Sequence, residues 1–360
     1  MRAVFLAFAF LTAWAAPTAA FDLTDYENWN REYEELPGPM VYRSEEEPAW
    51  LPGMLDKLQS ARVPWALYRH YLFRDARGPA YLVTSWHGDE FNNVLEIHRI
   101  EKDKAGNPSA KFVEGYGGDI VWVVVPTGHD VFGDGVPVLF VMASPGGSSD
   151  EGETVLIIRL DDVPKNITPE QFGNVARVAF PSDGSKTLFL LTRDLNNQFF
   201  YDTCGVCYIM PEMIVVWRKG DYAPACRDNP EFFRTSMRHL WRRSDGGQPY
   251  NLQEFVVRRI GGIWDAIQVG DIPTAMRVYR DTLADARRRG TNWPVWEGRI
   301  PPTAAEYKAE VSNYEKKFLP LLREAQRHAK SQCPLTTGRP LSGPSEPFKM
   351  IPPSPSRDVK

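Results

Sequence analysis

The sequence predicts an α+β protein: an antiparallel, repeat-built β region, whether partial propeller, sandwich or meander, followed by a C-terminal α-helical region. Three observations carry this reading. Residues 65–226 break into short apolar runs cut by Gly, Pro and Asp, whereas apolar residues after Cys226 recur every three or four positions. Of the 360 residues, 27 are Gly and 30 are Pro, which calls for many turns and short elements. A 43% hydrophobic share is enough to build a packed core, so wholesale disorder is excluded.

In the β region, Tyr81–Val83, Val121–Val125, Val138–Met142, Val155–Ile158, Thr187–Leu191 and Ile214–Trp217 read as strands, because β-branched and aromatic residues dominate them. Gly133-Asp134-Gly135 and Ser182-Asp183-Gly184 are turn signals of the kind that join antiparallel neighbours. Three segments share one pattern of turn glycine, short spacer and apolar strand: Arg77–Val83, Asp134–Val141 and Asp183–Leu190. A lone hairpin cannot bury its apolar face, so such units are expected to stack on one another.

The second copy, Asp130-Val131-Phe132-Gly133-Asp134-Gly135 leading into Val136–Val141, resembles the Asp-rich turn and strand of FG-GAP/VCBS propeller repeats. The resemblance implies secreted, propeller-like blades that serve adhesion or recognition, with Asp-rich turns that often hold calcium. Phe132 stands where an acidic ligand is expected, and the other two copies lack the Asp set. Calcium at Asp130 and Asp134 is therefore one expectation. The other is a hairpin turn whose Asp side chains accept backbone N–H bonds.

The helical region, 227–333, opens with Asn229-Pro230, an N-cap followed by proline in the first turn. Leu252, Phe255, Val256, Ile260, Ile263, Trp264 and Ile267 fall on one helical face. Met276, Tyr279, Leu283 and Ala286 mark a following helix. Tyr307, Val311, Tyr314, Phe318, Leu321 and Ala325 mark a last one, with a kink expected at Pro320. Residues 334–360 are Pro-rich without apolar periodicity and read as a disordered tail.

At the other end, Arg2 precedes the apolar run Ala3–Trp14 and the small-residue exit Ala16-Pro17-Thr18-Ala19-Ala20. This is the layout of a cleavable signal peptide over residues 1–20, with the cut expected after Ala20 and a periplasmic or secreted mature chain. No later run is long enough for a transmembrane segment. The acidic N-terminal segment, 21–64, begins with nine acidic and two basic side chains over 21–47, while 227–333 carries 13 acidic and 19 basic. That asymmetry suggests that the acidic front docks on the basic helices. A net charge of −4 offers no global footprint for nucleic acid.

The disulfide candidates are Cys204, Cys207, Cys226 and Cys333, whose three possible connectivities the sequence leaves open. Cys204-Gly-Val-Cys207 could also act as a redox dithiol, but it lacks the helix start that favours a thiolate. His129, Asp130 and Ser144 are the residues a hydrolase reading would use. Trp293 and Trp296 could form an exposed stacking platform for a sugar or peptide, or plug an interface. With no concentrated catalytic motif, the expectation is an exported, non-catalytic binding or scaffolding protein without a resident cofactor, its partner a protein or an envelope polymer. The alternative is an extracytoplasmic hydrolase or thiol oxidoreductase.

Overall fold

The computed structural model describes residues 38–75, 78–88, 93–118, 120–124, 127–144, 154–180, 187–193, 212–218, 220–236, 252–293 and 302–334. The segment read as a signal peptide, Cys204, Cys207, Trp296 and residues 335–360 lie outside them.

Three consecutive four-stranded antiparallel meanders make up the β region. The first contains β1 (Ala66–Asp75), β2 (Gly78–His87), β3 (Asn93–Lys102) and β4 (Pro108–Gly118). The second contains β5 (Ile120–Val124), β6 (Val138–Ser144), β7 (Thr154–Arg159) and β8 (Lys165–Asn166). The third contains β9 (Asn174–Ala179), β10 (Leu188–Arg193), β11 (Glu212–Arg218) and β12 (Asp221–Pro224). The sheets are open, each strand pairing with its neighbours in sequence. The strands that follow the three turn glycines are β2, β6 and β10, so each occupies the second place of its sheet.

The sheets stack face to face because most of their strands are apolar on both sides. Phe73, Tyr81, Val83, Leu95 and Ile97 of the first sheet meet Val121, Val123, Leu139, Val141 and Ile158 of the second. The reverse face of the second sheet, with Val138, Phe140, Met142, Val155 and Ile157, meets Val178, Leu190, Ile214 and Val216 of the third. The middle sheet is thus covered twice, and every described side chain of β6 is buried. That double burial is why its strands read as continuous apolar runs rather than as alternating ones.

The outer face of the first sheet is covered by α1 (Leu51–Ala61), through Leu51, Met54 and Leu58 against Leu72, Leu82, Trp86 and Val94. This helix lies inside the segment read as merely acidic. Its sequence signals are Pro52 in the first turn and the 3–4 spacing of Leu51, Met54, Leu55 and Leu58. Just before it, residues 40–42 run along the outer edge of β1, with Val41 bridging Phe73 and backbone bonds from Tyr42 to Leu72 and from Arg74 to Met40. Covering an edge strand in this way protects its free N–H and C=O groups. Of the described carboxylates of the acidic front, Glu46 and Glu47 pair with Arg74 and His70 of β1 rather than with the C-terminal helices.

The helices α2 (Leu252–Gln268), α3 (Ile272–Arg289) and α4 (Ala304–Arg327) build a separate core around Ile260, Ile263, Trp264, Tyr279 and Phe318. Asp271 caps α3 through Thr274 N–H, and Thr303 with Glu306 forms a capping box on α4. Pro320 lies inside α4. Phe232 and Phe233, ahead of this unit in the chain, enter the core of the third sheet. Two links fasten the unit itself to that sheet. Gln268 Nε2 donates to Glu212 O at 2.7 Å. A disulfide joins Cys226 to Cys333, with Cα atoms 5.2 Å apart.

Candidate functional site: a cleft between the first two sheets

The cleft begins with a defect in strand pairing. Leu67 pairs with Trp86 and Arg69 with Ser85, which leaves Tyr68 as an extra, bulged residue on the edge strand β1. In a regular strand, consecutive side chains point to opposite faces. A bulge breaks that alternation and re-aims a side chain. Here it lets Tyr68 and Arg69, adjacent in sequence, both line one cleft. Tyr71 follows on the same face, with Ser85 and His87 from β2 and Asn93 from β3, and the opposite wall is Val121–Val123 of β5.

The cleft encloses about 340 Å³. Tyr68 stands at its rim, 64% exposed, with the Arg69 guanidinium 5.3 Å from its ring centroid. Burial opposes the Arg69 charge, but the Tyr71 and Tyr68 hydroxyls beside it offset that cost. His87 Nδ1 is 2.8 Å from Asn93 Oδ1, so the two polar groups at the open end hold each other in place. Among the described residues that line the cleft, Arg69 carries a positive charge and none is a carboxylate. Aromatic faces, a fixed guanidinium and paired planar polar groups suit an anionic, ring-containing ligand.

A larger cavity, about 610 Å³, opens between the other end of the first sheet and the Gly135–Pro137 segment. Its charges are largely spent on one another. Arg99 donates to Asp162 O at 2.6 Å and pairs with its carboxylate, and the Tyr81 hydroxyl donates to Asp161 O. Arg159 beside it bridges Asp134 and Asp161 at 2.6 and 2.9 Å. This end serves to bolt the first two sheets together.

Beneath α1 lies a buried polar cluster. Thr84 and Glu96 are register partners on the helix-facing side of the first sheet, with His98 two residues along β3. Arg62 Nη2 meets Glu96 Oε1 at 2.5 Å, while His98 Nε2 lies 3.4 Å from both Glu96 Oε2 and Thr84 Oγ1. Trp86 Nε1 donates to Thr84 Oγ1 at 2.9 Å, and the Arg62 guanidinium sits over the Trp65 and Trp86 rings. Burial raises the Glu96 pKa, but hydrogen bonds from His98 and Arg62 outweigh it and hold the value down to about 2. With Glu96 at 2% and His98 at 0% exposure, the cluster is closed to ligands and acts as an internal anchor for α1.

The residues singled out from sequence fall elsewhere. Asp130 Oδ1 accepts from the N–H groups of Gly133 and Asp134, and Oδ2 from that of Gly135, at 2.6–3.1 Å. Asp134 Oδ1 accepts from Val136 N–H. These carboxylates organise the turn, and no group of three metal-ligating His, Cys, Asp or Glu side chains occurs among the described residues. The hydrolase arrangement does not assemble. Gly128, next to His129, bonds to Val138 at one end of β6, and Ser144 closes the other end, about 20 Å away along the strand. The His129 ring packs near Phe180, where burial lowers its pKa. Trp293 is no open platform. Its ring lies 5.4 Å from Phe255 and under Arg289, and its Nε1 donates to Gly290 O at 2.8 Å.

Sequence reasoning missed Tyr68, Arg69, Tyr71, Ser85, His87 and Asn93. The signal was the run Tyr68-Arg69-His70-Tyr71, a basic–aromatic cluster where an alternating strand would be expected. No protein-family model, no curated protein and no solved structure matches this chain.

Proposed function

We propose that this is an exported, non-catalytic binding or scaffolding protein whose cleft between the first two sheets takes an acidic segment of an envelope polysaccharide. The observation that carries the reading is the β1 bulge, which turns Tyr68 and Arg69 into the same cleft opposite Val121 and Val123 of β5. Tyr and Arg are enriched at recognition surfaces, Tyr for its large rigid contact area and Arg for its planar, multi-donor guanidinium. The Cys226–Cys333 disulfide supports an oxidising compartment, in line with export and cleavage after Ala20. Among the described residues no helix is long and apolar enough to cross a membrane. Stacked four-stranded meanders are also the unit of propeller blades, which supports reading the β region as an open relative of FG-GAP/VCBS-type repeats.

The test is binding of the mature chain, from Phe21 onward, to polygalacturonate, with dextran as the neutral control. Polygalacturonate should bind in a salt-sensitive manner and dextran weakly. Arg69→Ala should weaken the acidic polymer at least about tenfold, the cost of one charge-assisted hydrogen bond. Tyr68→Ala, at an exposed rim position, should weaken binding with the melting temperature unchanged. Equal affinity for both polymers, or full affinity in both variants, would overturn the proposal.

A further inference from the structure

The triplet Asn-x-Ser/Thr, the acceptor pattern for an N-linked glycan, occurs twice in the sequence, as Asn107-Pro108-Ser109 and as Asn166-Ile167-Thr168. Proline in the middle position disqualifies the first. The second begins on β8 and runs into the residues that follow it, and Asn166 is exposed. β8 ends the second sheet: it pairs with β7 on one side, and no described strand pairs with the other. Ile167, between the two polar residues, packs against the core shared by the second and third sheets and so anchors the triplet.

The side chains of this triplet are already arranged for the chemistry. Asn166 Oδ1 accepts from the Thr168 N–H at 3.0 Å and from the Thr168 hydroxyl at 2.6 Å. Both bonds fall on the amide oxygen. They polarise the amide, which makes the N–H bonds of Nδ2 more acidic and prepares that nitrogen to lose a proton as it attacks carbon. Nδ2 itself has no hydrogen-bond partner among the described residues. The sheet holds the arrangement in place: the Ile157 N–H donates to Thr168 Oγ1 at 2.8 Å, and the Ile167 N–H donates to Ile157 O at 2.8 Å. The acceptor amide is thus fixed against β7 at its oxygen end and unengaged at its nitrogen end.

We propose that Asn166 is a site of N-linked glycosylation. The proposal rests on export of the chain, and not on the ligand of the cleft. The donor is a polyprenyl-diphosphate-linked oligosaccharide, used by a membrane glycosyltransferase on the outer side. The bond between the sugar C1 and the diphosphate oxygen breaks, a bond between C1 and Asn166 Nδ2 forms, Nδ2 gives up one proton, and the polyprenyl diphosphate leaves. β5, whose Val121 and Val123 line the cleft, is the opposite edge of the same sheet, three strand spacings or about 14 Å away. Attachment therefore takes place at the edge far from the cleft. There the glycan covers N–H and C=O groups that would otherwise invite pairing with another chain, and adds hydrated bulk to the surface.

The experiment is intact-mass measurement of the full chain recovered from outside the cytoplasm of the cells that make it, before and after a peptide N-glycosidase in heavy-oxygen water. The chain should be heavier than the polypeptide from Phe21 to Lys360 by one glycan. The glycosidase should remove that excess and leave a labelled Asp at position 166 in the peptide map. Asn166→Gln, at an exposed position, should be exported without the added mass. Thr168→Ala, which removes the hydroxyl, should lose the glycan, whereas Thr168→Ser should keep it. An exported chain of unmodified mass, a glycan that persists in Asn166→Gln, or full occupancy in Thr168→Ala would overturn the proposal while leaving export intact. A chain kept inside the cell with residues 1–20 still attached would overturn the export reading, and this proposal with it.

Discussion

Replacing Arg62 by Met removes the guanidinium from Glu96 but keeps a flexible apolar stem under α1. Glu96 would retain His98 Nε2 at 3.4 Å, in a site that is 2% exposed. Two routes give the magnitude. Breaking a buried ion pair by deleting one partner typically costs about 3–5 kcal/mol. Holding Glu96 at about 2 against an ordinary 4.5 corresponds to about 3 kcal/mol of preferential stabilisation of the ionised form, shared by all its partners. With His98 still in place, Arg62→Met should therefore cost about 2–3 kcal/mol at neutral pH.

The pH dependence follows from the same shift. A depressed carboxylate pKa contributes stability above the unfolded value and loses it as pH falls through the folded value. Wild-type protein should thus lose the Glu96 contribution between about pH 5 and pH 2, and Arg62→Met should show a shallower fall over that window. Urea unfolding followed by tryptophan fluorescence suits the measurement, because Trp65 and Trp86 flank Arg62. A double-mutant cycle with Glu96→Gln isolates the pair energy. If Arg62→Met unfolds within about 0.5 kcal/mol of wild type at pH 7, or if its acid profile superimposes on that of wild type, the buried-anchor reasoning is wrong.

Two further outcomes are expected. The Cys226–Cys333 bridge closes a long loop (sequence separation 107) between the end of the β region and the segment after α4. Cys333→Ala should therefore lower stability by about 2–5 kcal/mol; a melting temperature indifferent to both reductant and substitution would contradict this. Trp264 is 2% exposed and stacked on Phe318 at 5.4 Å. Trp264→Ala should cost about 3–5 kcal/mol, and an unchanged melting curve would remove it from the core.

Strands were legible wherever burial was extreme. Val138–Met142 and Val155–Ile158 lie in the doubly covered middle sheet, so their composition alone betrayed them. The longer strands of the first sheet were harder to see, because β1 mixes Arg69, His70 and Arg74 with aromatics and carries register shifts after Leu67 and Phe73. The amphipathic faces of α2, α3 and α4 were visible as spacing and recur as the helical core. The candidate cleft was not legible, since a bulge is a property of two strands in register, and no single stretch of sequence states its pairing partner.

Local chemistry alone therefore determined the class of the fold, the change from strands to helices after Cys226 and the apolar faces that had to be buried. Those features depend on neighbours within a few residues, where periodicity and turn residues act directly. Tertiary structure decided which cysteine closes on Cys226, which faces of the three sheets meet, and that Arg62 reaches Glu96 across 34 positions. It also brought Tyr68 and Arg69 opposite β5, and Gln268 up to the Glu212 backbone. Each of these is a contact between segments distant in sequence, and its energy exists only once stacking has removed water from between them.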